Sequence, residues 1–117
     1  MTVYQNRFWR GEVPLFQRVV RYEPDFGRAR RLLGKAFARR GKEEKALEEF
    51  SKAAAIFRDY AGRTEDPEAR NVYRGFLKQT YFDQAMVYQG QGRAKKAMAR
   101  LHKALAAEPG DSRMHNY

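Results

Sequence analysis

The feature that most limits what this chain can fold into is that it repeats itself. Residues 33–54 and 84–105 align at a constant offset of 51 positions. Gly34 falls on Ala85, Phe37 on Tyr88, Gly41 on Gly92, Lys45-Ala46 on Lys96-Ala97, Phe50 on Leu101 and Lys52-Ala53 on Lys103-Ala104. Each block has the same physical grammar. An amphipathic helix ends in a small residue and an aromatic. A Gly then makes a tight turn, because it alone enters the left-handed region at little steric cost. A second helix follows with Ala, a large apolar residue and Ala at spacings of four and three, which puts all three on one face. Small residues let two helices approach closely, and the large one fills the gap between them.

Reading the rest of the chain for the same periodicity gives helices at 12–22, 26–40, 42–61, 67–90 and 93–107, with a short one at 2–10. The fold class expected is all-α, with five to six antiparallel helices. Asp66-Pro67-Glu68 is a strong helix start, combining an Asp cap, Pro in the first turn and an acid at the positive end of the dipole. From there Ala69, Val72, Tyr73, Phe76, Leu77, Tyr81, Ala85 and Tyr88 share one face up to Gly90, a helix of about 24 residues or ~36 Å. The tail from Pro109 to Tyr117 reads as a frayed end.

These residues carry a family resemblance. Leu33-Gly34-x2-Phe37 with Ala46-x3-Phe50-x2-Ala53 resembles the tetratricopeptide repeat, a 34-residue helix–turn–helix unit. Ala85-x2-Tyr88 with Ala97-x3-Leu101-x2-Ala104 and Pro109 fills the same slots. Phe16, Val19, Val20 and Pro24 stand 34 positions before Phe50, Ala53, Ala54 and Arg58, so a half repeat comes first. The family's Trp slot holds Arg30 and then Tyr81. Its Leu slot holds Gln84 in the later block, and its closing Pro slot holds Arg58 in the earlier one. The implied organisation is one helical-hairpin solenoid domain, 1–117. It comprises a half repeat at 12–24, repeats at 27–60 and 78–111, a helix extension at 61–77 and a tail at 112–117. The run Asn6-Arg7-x-Trp9-x2-Glu12-x2-Leu15-Phe16, leading to Pro24, also resembles the junction after the last membrane span in large membrane glycosyltransferases with tetratricopeptide tails. That likeness implies a membrane-anchored parent whose catalytic part lies outside this chain. Otherwise the expected location is cytoplasmic.

Charge narrows the partners. The formal net charge is +10, and residues 1–42 hold eleven Lys/Arg against three acids. A basic end suits an acidic peptide, nucleic acid or an anionic membrane surface, though a solvated helix face accounts for it as well. There is no Cys, which excludes disulfides, thiolate zinc sites and a Cys nucleophile. No apolar run approaches the length of a membrane span, and Arg7 and Arg10 interrupt the only early apolar stretch.

In the family the first helices of successive repeats line a concave groove. The resemblance puts Arg28, Arg31, Lys35, Ala38 and Arg39 there from the first repeat, and Gln79, Phe82, Met86 and Gln89 from the second. A basic wall beside an apolar patch suits an acidic segment with one or two large apolar anchors. Some members clamp chaperone carboxylate tails with a Lys/Asn set; the matching slots here hold other residues, with Asp83 among them. The expected role is therefore a protein-interaction scaffold that binds a protein or peptide. The alternative is a basic module for nucleic acid or an anionic membrane.

Nothing converges for chemistry. His102 and His115 lack partners at metal-ligand spacing. Glu43, Glu44, Glu48 and Glu49 open a helix and read as a solvated face that complements its dipole. Gly90-Gln91-Gly92 is a turn, without the Gly-Lys-Ser/Thr of a phosphate loop. No cofactor, metal or catalytic residue is expected. Tyr4, Phe8, Trp9 and Phe16 form an aromatic cluster that reads as an end-cap. Met98, Leu101 and Leu105 leave an apolar stripe on the last helix, to be covered by the tail, by a second copy of the chain or by the rest of a longer parent, the homodimer being the sharper expectation.

Overall fold

The computed structural model describes residues 13–107. Helix α1 covers residues 13–22, α2 is Gly27–Arg39, α3 is Glu43–Arg63, α4 is Pro67–Gly90 and α5 is Ala94–Ala106. The expected all-α class holds, with helix bounds within two residues of those read from periodicity. The short helix at 2–10, the aromatics around Trp9 and the tail lie outside the described residues.

Both hairpin turns close in the same way. Gly41 has φ 79° and Gly92 has φ 76°, the left-handed values that ask for glycine. The amide of Lys42 donates to the Phe37 carbonyl at 2.9 Å, and that of Arg93 donates to Tyr88 at 2.9 Å. The α3–α4 turn differs. Asp66 caps α4 by accepting from the Glu68 amide at 3.1 Å, and Pro67 opens the helix where no amide bond is needed.

Packing runs from each helix to the next, with α2 also touching α4 directly. Val20, Ala29, Leu33, Phe37, Ala46 and Phe50 join the first three helices. Ala53, Ala54, Phe57, Leu77, Tyr81, Ala104 and Ala107 join the last three. Leu47, Ala85, Tyr88 and Ala97 close the region near the turns.

The two blocks solve one volume problem in complementary ways. A Cβ at Gly34 would lie 2.7 Å from Phe50 Cε1 and 3.1 Å from the Ala46 carbonyl oxygen. Gly34 therefore makes room for a phenyl ring that is 1% exposed. Fifty-one positions later the pair is Ala85 and Leu101, a methyl gained on one side and a smaller side chain on the other.

Three expectations change. Glu49 is not on a solvated face: it is half-buried and accepts from Arg30 Nη1 at 3.0 Å, tying α3 to α2. Glu43 and Glu44 accept from Gln91 Nε2 at 3.0 and 3.3 Å, tying the start of α3 to the end of α4. The apolar stripe of α4 is not covered along its whole length: Val72 is 52% exposed, facing the cavity side of the tip where no described helix lies over it. Gln84, in the Leu slot, is buried. Its Nε2 donates to Ser51 Oγ at 3.1 Å, while its Oε1 has no protein partner.

Gly34→Ala should cost about 1–3 kcal/mol through overpacking against Phe50. Adding Phe50→Leu, which recreates the Ala85–Leu101 pairing, should recover much of that loss in thermal melts. Strict additivity of the two single losses would refute the complementarity.

Candidate functional site

The residues that the repeat assigned to a concave groove come from α2 and α4, which run parallel because each is antiparallel to α3. Of these, the structure sets Lys35, Ala38 and Arg39 beside Met86, and they do not form one basic wall. Arg31 Nε donates to Asp83 Oδ2 at 2.6 Å, with side chains 21% and 16% exposed. This charge-assisted bond joins α2 to α4 and neutralises the middle of the groove. Asp83 was the position that set this chain apart from carboxylate-clamp members, and its carboxylate already holds an arginine.

On one side of that bridge, Lys35, Ala38 and Arg39 meet Met86 and Val87 around a small cleft of about 200 Å³, with Phe50 and Asp83 at its base. Met86 is 45% exposed and Phe82 48%. Both lie off the buried stripe of α4, and no helix among the described residues covers them. Gln79 and Gln89 are exposed.

On the other side sits Arg28, whose guanidinium lies 5.4 Å above the Phe76 ring. It borders a cavity of about 820 Å³, larger than the cleft at Lys35. This cavity exists because α3 and α4 are longer than an ordinary repeat needs. Their extra turns run past the start of α2, so among the described residues no part of α2 lies over Ile56, Tyr60, Val72 and Tyr73, which form an apolar wall. Phe57 and Phe76 pack at the base with ring centroids 5.2 Å apart, and Tyr60 stacks on Tyr73 at 5.3 Å. Glu23 and Asp25, from the α1–α2 connection, stand at its edge.

The groove expected from the repeat is thus two apolar recesses either side of the Arg31–Asp83 bridge. Sequence reasoning put Val72, Tyr73 and Phe76 on the buried stripe and gave no role to Ile56 or Tyr60. The signal was present in the 17 residues beyond a 34-residue period, since extra turns on both partners leave faces that the shorter α2 cannot reach.

Elsewhere, His102 is exposed on α5. Among the described residues no three His, Cys, Asp or Glu side chains gather as a metal site would require, and no helix is long and apolar enough to cross a membrane.

If the bridge between α2 and α4 is coupled as its geometry implies, Asp83→Ala should lower stability by about 1–2 kcal/mol by leaving Arg31 half-buried and unpaired. The Arg31→Ala/Asp83→Ala double variant should cost less than the summed single losses in urea melts. Additive losses would mean the two side chains do not support each other.

The chain matches the tetratricopeptide repeat family profile over residues 4–64, more than half its length. Set against curated protein sequences, it has no match.

Proposed function

This chain belongs to the tetratricopeptide repeat family, whose repeats mediate protein–protein interaction, and on that premise we propose that it is a non-catalytic scaffold holding an acidic segment of a partner protein along α2 and α4. The observation that carries this reading is the pairing of Lys35 and Arg39 with Met86, beside a Phe82 that is nearly half exposed. Cations next to uncovered apolar side chains favour a ligand with both acids and apolar anchors. The aromatic cavity beside Arg28 has room for a large side chain of the same segment, with Arg28 at its mouth.

Binding of this kind differs from binding to a polyanion. Phosphate-backbone or anionic-lipid contacts weaken steeply with salt, because they rest on counterion release and screened charge. A segment anchored by apolar side chains keeps much of its affinity.

The decisive comparison is capture from nuclease-treated lysate at low and high salt, using the wild type and a Lys35→Glu/Met86→Ala variant. Neither side chain is in the core, so the variant should keep its melting temperature. A discrete protein held by the wild type in high salt and lost from the variant is the expected result. Capture of nucleic acid only, or equal capture by both proteins, would remove the groove as the site.

A further inference from the structure

The 51-residue offset allows one exposed surface to be compared with a covered copy of itself. On α3, Leu47 is 7% exposed and Ala54 3%, because α4 lies over them. Leu47 packs with Ala85 and Tyr88, and Ala54 with Leu77 and Tyr81. Ser51, between them, bonds Gln84 of the same covering helix at 3.1 Å. The equivalents on α5 are Met98, His102 and Leu105. Met98 is 58% exposed and Leu105 63%. The apolar positions of this stripe, two helical turns long, are buried by a helix in one repeat and open in the next, while Ser51 between them stays exposed beside its bond to Gln84.

The charges around the stripe change between the copies. On α3 the stripe is flanked by Glu43, Glu44 and Glu48, and the first two accept from Gln91 at the end of the covering helix. At the equivalent positions α5 carries Ala94, Lys95 and Ala99. Helix α5 holds no acid. Of its cations Lys95 flanks the open stripe, while Lys96 and Lys103 lie over the Tyr88 and Tyr81 rings of α4, and their equivalents Lys45 and Lys52 are also present on α3.

From the covered copy and the altered charge we infer that the open face of α5 docks an amphipathic helix of a partner protein, apolar along one stripe and acidic along its flanks. A second copy of this chain is the other natural occupant of a face that no described helix covers. It would set Lys95 of one α5 against its copy with no acid on either helix to offset it, and like charges juxtaposed across an interface oppose association. The inference concerns a face distinct from the groove between α2 and α4, so either can fail alone.

The test uses the full chain and a synthetic helical peptide that carries Leu, Tyr, Ala and Tyr at the spacing of Leu77, Tyr81, Ala85 and Tyr88. One version has glutamates on the flanks and the other has lysines, and binding is followed by fluorescence anisotropy. The glutamate peptide should bind at least about tenfold more tightly than the lysine peptide. Met98→Glu/Leu105→Glu should abolish its binding, and Lys95→Glu/His102→Glu should reverse the preference. All four positions are exposed, so these variants should fold. Equal affinity for the two peptides, no binding of either, or glutamate-peptide binding that survives Met98→Glu/Leu105→Glu would overturn the inference. So would sedimentation of the wild type as a dimer that Met98→Glu/Leu105→Glu dissolves, which would make a second copy the occupant.

Discussion

Helix α3 is apolar on two sides, and one neighbour cannot cover both. Ala46 and Phe50 face α2, while Leu47 and Ala54 face α4. A helix with two buried faces forces a layer on either side of it, and that requirement generates the stack. Close approach is what makes it work. Ala46 and Ala53 are wholly buried, and Gly34 lacks the Cβ that would meet Phe50, so the hairpin closes around a ring with no space to spare. Each later helix inherits the same demand, until α5 presents an apolar stripe with nothing described beyond it.

Electrostatics then decides what the stacked faces offer. The net charge of +10 overstates how much of it is available to a ligand. Arg30 is taken up by Glu49 and Arg31 by Asp83, both between helices. Arg28 lies over Phe76, and Arg93 lies over Tyr88 while bonding Gln91. These are seams between helices, where the charge is engaged inside the fold.

The periodic part of the fold was legible because its signals are local. Glycine at a left-handed turn, an Asp cap before Pro, and Ala at four- and three-residue spacings each act within a turn or two of helix, and all lie where the sequence puts them. The concave residues were legible as positions but not as charges. Arg31 and Asp83 stand 52 positions apart, and only the superposition of two repeats brings them to 2.6 Å. Glu49 was misread for the same reason, its partner being on another helix. The aromatic cavity was only half legible: the 17 extra residues signal longer helices, but not which of their side chains the shorter neighbour leaves uncovered. Gln84 shows a further limit: a polar residue in a family's apolar slot stays buried there, with Ser51 supplying one bond and its carbonyl oxygen left without another.

The extra turns of α3 and α4 also bear on how the molecule loosens. Past the Phe57–Phe76 contact the two helices meet through the Tyr60–Tyr73 stack and the bond from Arg70 to the Thr64 carbonyl, with the cavity on one side of them. Parting the tip there exposes little that is buried, so it costs far less than melting the stack. The tip is therefore a cooperative unit of low stability joined to one of higher stability, and the wall of the larger cavity belongs to the weaker of the two. A segment seated against Tyr60 and Tyr73 would stiffen the tip as it bound, and part of its binding free energy would go into that ordering.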